Sequence, residues 1–323
     1  MPTTKRRSPA RTFVAVTAAL VLLAALALVV VRLAADRIVL QEACTATAGG
    51  AKARVSVEQA ENAATIAAVA ARRGLPARAA TIALATALQE SGLRNLDYGD
   101  RDSLGLFQQR PSQGWGTAAQ VRDPVYAAGK FYDALVKIDG YTTMDINDAA
   151  QKVQRSGYPE AYNKHEIRAR ALASTLMGYS PSAFTCAIRL DGVEDEVPNS
   201  RGLTARAQTA LNEVQEAFGD LETGGYAADG VRSGHMEGSA HYDGRAIDVF
   251  FRPVNATKRR DGWATAHWLV AHAEDLKIAT VIYDGRIWTA RRSVQGWREY
   301  TPPGGDTGND TLMHRDHIHL DVR

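Results

Sequence analysis

Residues 314–323 read His-Arg-Asp-His-Ile-His-Leu-Asp-Val-Arg, and this stretch decides the fold of the C-terminal half of the chain. Side chains alternate between the two faces of a β-strand. As a strand, the segment places His317, His319 and Asp321 on one face and three aliphatic side chains on the other. One face then carries potential metal ligands while the other packs into the core. The alternative is a histidine-rich tail without a site.

A second stretch, residues 239–251, favours the metal site over that alternative. It reads Ser-Ala-His-Tyr-Asp-Gly-Arg-Ala-Ile-Asp-Val-Phe-Phe, and Asp248 lies inside an apolar run that predicts a buried strand. A buried carboxylate is costly unless it is paired or binds a metal. His241, Asp248 and His319 together offer three nitrogen or oxygen ligands. A catalytic zinc site has three protein ligands and leaves the fourth position to water.

Length and charge limit the classes of function. The 323 residues predict about two domains. The net charge is +2, but four basic residues lie within the first eleven, so the rest of the chain has a net charge of −2. No basic surface is expected there, and a nucleic-acid partner is therefore not predicted.

The N-terminus contains an apolar segment. Residues 13–31 are 19 residues without a charge, which is long enough to span a bilayer as a helix. The basic flank precedes the segment, and the positive-inside rule then places the N-terminus in the cytoplasm. We predict a cytoplasmic tail at 1–11 and a transmembrane anchor at 12–34, with the remainder outside a cell membrane that the chain crosses once. The alternative is a cleaved signal peptide, whose apolar region is usually shorter.

The chain has two cysteines, Cys44 and Cys186. Disulfides persist outside reducing compartments. We expect a Cys44–Cys186 disulfide that joins the ends of the segment between them, at a gain of about 4–5 kcal/mol from loop closure. Two unpaired thiols are the alternative.

Helix and strand signals divide the chain beyond the anchor into four parts. Ser-Val-Glu-Gln at 56–59 predicts a capping box, and the helices that follow it predict an all-α half. Alternating helices and strands predict an α+β half after the composition changes near Pro198. The predicted parts are a linker at 35–55, a domain at 56–180, a linker at 181–200 and a domain at 201–323.

Glu90 is the candidate catalytic residue of the first domain. It lies in the last turn of a predicted helix, where the helix dipole disfavours a carboxylate. An ordinary surface glutamate is the alternative. Glu90-Ser91, followed by Gly-Leu-Phe-Gln at 105–108 and by Tyr162-Asn163, resembles the lytic transglycosylases.

This resemblance covers about residues 56–180 and implies a lysozyme-like fold. It implies that Glu90 is the acid and base that cleaves the glycan strand of peptidoglycan. A single glutamate suffices in that family because the N-acetyl group of the substrate assists. The resemblance also implies that three side chains bind the saccharide: Gln108, Tyr162 and Asn163. Phe107 departs from the usual methionine of the pattern.

The second domain resembles the zinc D-Ala-D-Ala carboxypeptidases and the related murein endopeptidases. The resemblance rests on Gly-Val-Arg-Ser at 230–233, on Ser239-x-His-x6-Asp and on the C-terminal histidines, over about residues 201–323. It implies that Arg232 polarises the scissile carbonyl and that Ser239 contacts the substrate. It implies a zinc-activated water as nucleophile and three zinc ligands: His241, Asp248 and His319.

Two assignments stay open in this half. The general base is His317, which shares a strand face with His319, or Asp316, which occupies the position of the glutamate in the carboxypeptidases. His235 supports the metal ligands from outside the metal site or is a histidine of a surface turn.

The sequence thus predicts a multidomain fold with an N-terminal transmembrane helix, an all-α lysozyme-like domain and an α+β zinc-peptidase-like domain. The predicted function is a membrane-anchored peptidoglycan hydrolase, both lytic transglycosylase and zinc metallopeptidase. The alternative is a peptidoglycan-binding or cell-wall assembly protein with vestigial sites.

Overall fold

The computed structural model describes residues 23–27, 42–190 and 192–323. The chain divides into two compact units, Met1–Gln41 and Glu42–Arg323. All the strands, and the helices named below, belong to the second unit.

The prediction of a transmembrane helix is wrong for the residues that the structure describes. Of the predicted anchor at 12–34, only 23–27 are described, and they are helical; the predicted tail at 1–11 lies outside the described residues. No helix within the described ranges is long and apolar enough to cross a bilayer. The predicted single-pass localisation in the cell membrane is therefore not supported.

The first half of the large unit is mostly helical. The capping box is confirmed, because the Ser56 hydroxyl accepts a hydrogen bond from the Gln59 amide and the Gln59 side chain accepts one from the Ser56 amide. The second helix ends at Glu90, which lies in its last turn, as predicted. The helices are α1 (Val57–Arg72), α2 (Ala77–Glu90), α3 (Ala118–Val121), α4 (Pro124–Leu135), α5 (Ile146–Gln154) and α6 (Glu166–Leu176).

The first half is not all-α, which corrects the predicted fold class. Strands β1 (Ala43–Ala48) and β2 (Ala51–Val55) lie within the predicted first linker, and β3 (Phe184–Ala187) lies within the second. They form an antiparallel sheet in the order β2-β1-β3. Cys44 lies opposite Cys186 in this sheet, and the predicted disulfide between them is confirmed. The unit is therefore mixed α/β.

The second half is an antiparallel sheet with helices. Its six strands run in the order β4-β5-β9-β6-β7-β8. The elements are α7 (Ala205–Phe218), β4 (Thr223–Gly224), β5 (Ala246–Phe250), α8 (Ala256–Ala271), β6 (Ile278–Tyr283), β7 (Arg286–Thr289), β8 (Arg298–Glu299) and β9 (His317–Val322).

The central pair of strands, β5 and β9, brings the two predicted metal-ligand stretches together. The register pairs Asp248 with His319 and Phe250 with His317. Strand β9 begins at His317, since His314 lies in the preceding turn with a φ of 51°. The observed strand therefore begins three residues later than the strand predicted at 314–323.

The two halves share one apolar core, and helices α1 and α8 lie at their junction. The buried ring of His267 in α8 is 2.7 Å from the carbonyl oxygen of Thr175 in α6, measured from Nδ1. The indole of Trp297 donates to the Phe184 carbonyl at 2.8 Å. Hydrogen bonds thus join the halves directly, across the position of the predicted boundary at 181–200.

Candidate functional sites

Strands β5 and β9 and the turn before β5 place three potential metal donors at contact distance. Nε2 of His241 lies 3.0 Å from Nδ1 of His319 and 3.3 Å from Oδ1 of Asp248. Nδ1 of His319 lies 3.4 Å from the same Oδ1. Ligands about 2.0–2.2 Å from a tetrahedral zinc are separated by about 3.3–3.6 Å. The three atoms form a triangle of nearly this size.

Asp248 has the environment of a metal ligand. It is 7% exposed, and Oδ1 accepts no hydrogen bond from the residues that the structure describes. Burial acts to raise the pKa of Asp248, but the imidazoles of His241 and His319 hold it well below its usual range. A buried carboxylate oxygen that accepts no hydrogen bond is costly unless a cation binds it. The donor set therefore fits a metal ion.

The outer nitrogen of each imidazole has its own acceptor. Nδ1 of His241 lies 2.7 Å from the Gly225 carbonyl oxygen and donates to it, which directs the lone pair of Nε2 to Asp248. Nε2 of His319 lies 3.5 Å from an Asp321 oxygen. Such outer partners set the tautomer and orientation of metal-binding histidines. Burial lowers the pKa of His319, but Asp248 and Asp321 together raise it above its usual value. A metal ion bound through His319 would compete with a proton for this nitrogen.

His235 also lies at this site. Its ring stacks on that of His241, with centroids 3.9 Å apart. The ligand atoms of His235, His241 and Asp248 all lie within 4.8 Å of one another, and these three residues form a group that could hold a metal ion. The sequence left two roles open for His235, and these contacts favour a role at the metal site over that of a surface-turn histidine.

His317 and Asp316 form a hydrogen-bonded pair beside the metal donors. Nδ1 of His317 lies 2.7 Å from Oδ1 of Asp316, and Nε2 lies 3.8 Å from Oδ1 of Asp248. The other Asp316 oxygen accepts from Arg252 at 2.9 Å and from the Thr311 hydroxyl at 3.2 Å. Burial acts to raise the pKa of Asp316, whereas His317 and Arg252 lower it below its usual value. Asp316 is thus a carboxylate with both oxygens occupied.

A cavity of about 800 Å³ opens over these groups. Its walls include Ser239, the guanidinium-bearing Arg245 and Arg252, and the exposed apolar side chains of Met236 and Leu312. Arg232 is exposed and is absent from the described lining, so the structure does not bring it to the site. Sequence reasoning missed Arg252, because no motif singles it out; its position just after the Asp248 strand was the available signal.

The candidate acid of the first half is held by a buried tyrosine. The Tyr162 hydroxyl donates to Oε1 of Glu90 at 2.7 Å, and Tyr162 has no exposed surface. Tyr162 therefore contacts the candidate acid and does not line an open groove. The Ser91 hydroxyl donates to the Leu106 carbonyl at 2.8 Å and thereby joins the end of α2 to the Gly-Leu-Phe-Gln segment. The sequence elements that were predicted to act together are in contact.

The two predicted saccharide-binding amides make local contacts. Nε2 of Gln108 donates to the carbonyls of Tyr98 and Gly105, each at 3.3 Å. Nδ2 of Asn163 donates to the Glu160 carboxylate. Both amides are therefore engaged by neighbouring loops in this structure.

Substitution of Gly225 is expected to damage the metal centre selectively. A Cβ at Gly225 would lie 2.4 Å from Cε1 of His241 and 2.9 Å from Oδ2 of Asp248. We expect Gly225→Ala to weaken metal binding by about 10–100-fold, the range for lost outer-shell support, as measured by titration with Zn²⁺.

Gly230→Ala is the matched control for Gly225→Ala. Its φ of +76° is close to the +79° of Gly225, but no described atom lies within 4 Å of the added Cβ. The two variants carry the same backbone strain and differ in the clash. Equal metal affinities for both variants would contradict the prediction.

Comparison with known proteins gives one partial match. The family described as "VldE, C-terminal domain" matches residues 199–311. This segment contains His235, His241 and Asp248 and ends before His314. No curated protein matches the chain.

Proposed function

We propose that this protein is a peptidoglycan hydrolase whose second half cuts stem or crosslink peptides at a zinc site. The observation that carries the proposal is the triangle formed by His241, Asp248 and His319, whose donor atoms lie 3.0–3.4 Å apart. Two nitrogen donors and one carboxylate are a common ligand set of catalytic zinc. The resemblance of the sequence to zinc murein peptidases supplies the substrate class.

Bound zinc would lower the pKa of a water molecule and so supply a hydroxide nucleophile near neutral pH. His317 is the base in this proposal. Its Nδ1 donates to Asp316 at 2.7 Å, and its Nε2, directed to the metal donors, is left free to accept a proton. The negative charge of Asp316 would stabilise the imidazolium that forms.

Asp316 acts as an orienting residue in this scheme. One of its oxygens binds His317, and the other binds Arg252 and Thr311. A general base needs a free lone pair within reach of the proton it accepts. This arrangement favours His317 over Asp316, the two bases that the sequence left open.

A second activity, cleavage of the glycan strand, is supported by a separate observation. Glu90 lies half-buried at the end of α2, and Tyr162 donates to one of its oxygens at 2.7 Å. The hydrogen bond orients the carboxyl group and leaves the second oxygen for proton transfer to the glycosidic oxygen. Both proposed activities act on one polymer, peptidoglycan, and no nucleic-acid partner is proposed.

The test is mass spectrometry of fragments released from purified peptidoglycan by the protein, with and without a chelator. We expect peptide cuts that the chelator suppresses and glycan cuts that it does not. Intact peptidoglycan in both samples, from folded protein, would favour a non-catalytic peptidoglycan-binding protein. Glycan cuts alone would leave the second half without a supported activity.

A further inference from the structure

One histidine of the metal site stands apart from the others because a loop carries it. Asp248 and His319 lie on paired strands, and His241 lies in the turn that enters β5. His235 lies in the segment between β4 and β5, where residues 232–234 and 236–238 are exposed. Within 232–238, His235 is the residue that is not exposed, and its ring lies against that of His241.

We propose that His235 is a fourth, displaceable ligand that closes the metal site when no substrate is bound. The inference rests on the proposed function and deepens it. A three-ligand site leaves one position open, and an imidazole nitrogen of His235 lies within 4.8 Å of the ligand atoms of His241 and Asp248. Binding of a substrate carbonyl then requires His235 to leave that position.

The loop is built to allow such a movement. His235 is flanked by Gly234 and Gly238, which have φ values of +90° and +75° and no described atom within 4 Å of an added Cβ. Donor separations of up to 4.8 Å exceed the spacing of about 3.3–3.6 Å at a tetrahedral zinc, so His235 moves inward when it binds. Segments with few packed contacts open at low cost in free energy.

One contact holds the loop close to the metal donors. The Tyr242 hydroxyl donates to the His235 carbonyl at 2.6 Å and accepts from the His235 amide at 3.2 Å. This hydroxyl holds the His235 backbone without contacting its imidazole nitrogens by any described hydrogen bond. Tyr242→Phe therefore removes the hydrogen bonds that hold the His235 backbone but keeps the His235 imidazole itself.

The experiment is titration of the full-length, metal-free protein with Co²⁺, followed by visible absorption, which depends on the number and the type of the ligands on cobalt. We expect four-coordinate cobalt in the wild type. His235→Ala should bind Co²⁺ about tenfold or more weakly and show a changed visible spectrum, because water replaces the imidazole in the fourth position. Tyr242→Phe should lie between the two, and Ser233→Ala, an exposed residue of the same loop, should match the wild type.

Acetohydroxamate supplies a second readout, since it binds metals through an open coordination position. It should bind cobalt-loaded His235→Ala more tightly than the loaded wild type, because no side chain has to leave. Spectra and affinities that are unchanged by His235→Ala would overturn the inference and leave the metal site standing. Failure of the wild type to bind Co²⁺ would instead remove the proposed metal site itself.

Discussion

His241→Ala is expected to abolish metal binding and every chelator-sensitive peptide cut. The substitution removes one of three donors and also the imidazole 3.3 Å from the buried Asp248 oxygen. The loss of affinity should exceed the about 10–100-fold effect of losing an outer-shell partner. Isothermal titration with Zn²⁺ measures the affinity, and fragment analysis of digested peptidoglycan measures the cuts.

Thermal unfolding separates loss of the ligand from loss of the fold. A metal that binds the native state stabilises it, by about 2.7 kcal/mol at one hundred times its dissociation constant. Zn²⁺ should therefore raise the Tm of the wild type and leave that of His241→Ala unchanged. His165→Ala is the matched control, since His165 is a partly buried histidine whose ring contacts Gln89 in the first half. Retained Zn²⁺ binding in folded His241→Ala would contradict the assignment of this ligand.

Glu90→Gln is expected to abolish glycan cleavage while peptide cleavage persists. The amide has the shape of the carboxyl group, and its oxygen can still accept the hydrogen bond from Tyr162, so the fold is retained. It cannot donate and recover a proton in the reaction, a function worth about 10²–10⁴-fold in rate. Release of glycan fragments from purified peptidoglycan is the measurement.

Two further variants make the Glu90 result specific. Tyr162→Phe removes the donor 2.7 Å from Glu90 but keeps the carboxyl group, and we expect an intermediate loss of glycan cleavage. Glu216→Gln makes the same chemical change at an exposed position of α7 and should cleave like the wild type. Undiminished glycan cleavage by Glu90→Gln would remove Glu90 from the mechanism.

Local patterns predicted much of the secondary structure of residues 56–323. The capping box at 56–59 and the helix with Glu90 in its last turn follow from capping signals and apolar periodicity within one segment. Helix α8 contains Gly262, a residue type that weakens the helical signal of a sequence. In the fold Gly262 is a packing position, where a Cβ would lie 2.1 Å from the Tyr283 hydroxyl.

The predicted fold class was wrong for strands that form only by pairing with a segment far away in the chain. Strands β1 and β3 are separated by more than 130 residues and are stable because they pair with each other and carry the Cys44–Cys186 disulfide. Each segment alone resembles a linker, since neither buries an apolar face without the other. The predicted membrane helix rested on apolar length alone, and no described helix has the properties of one that spans a membrane.

By itself, the sequence determined the types of donor at each candidate site and which strand face carries them, because the alternation of side chains along a strand is a local property. Only the tertiary structure decided which donors meet. The β5–β9 register brings Asp248 opposite His319, and the loop before β5 brings in His235. Tertiary packing also brings Tyr162 into contact with Glu90 and Arg252 into contact with Asp316. Arg232, by contrast, is exposed. These contacts join segments far apart in the chain, so they depend on the shared core that fixes their relative positions.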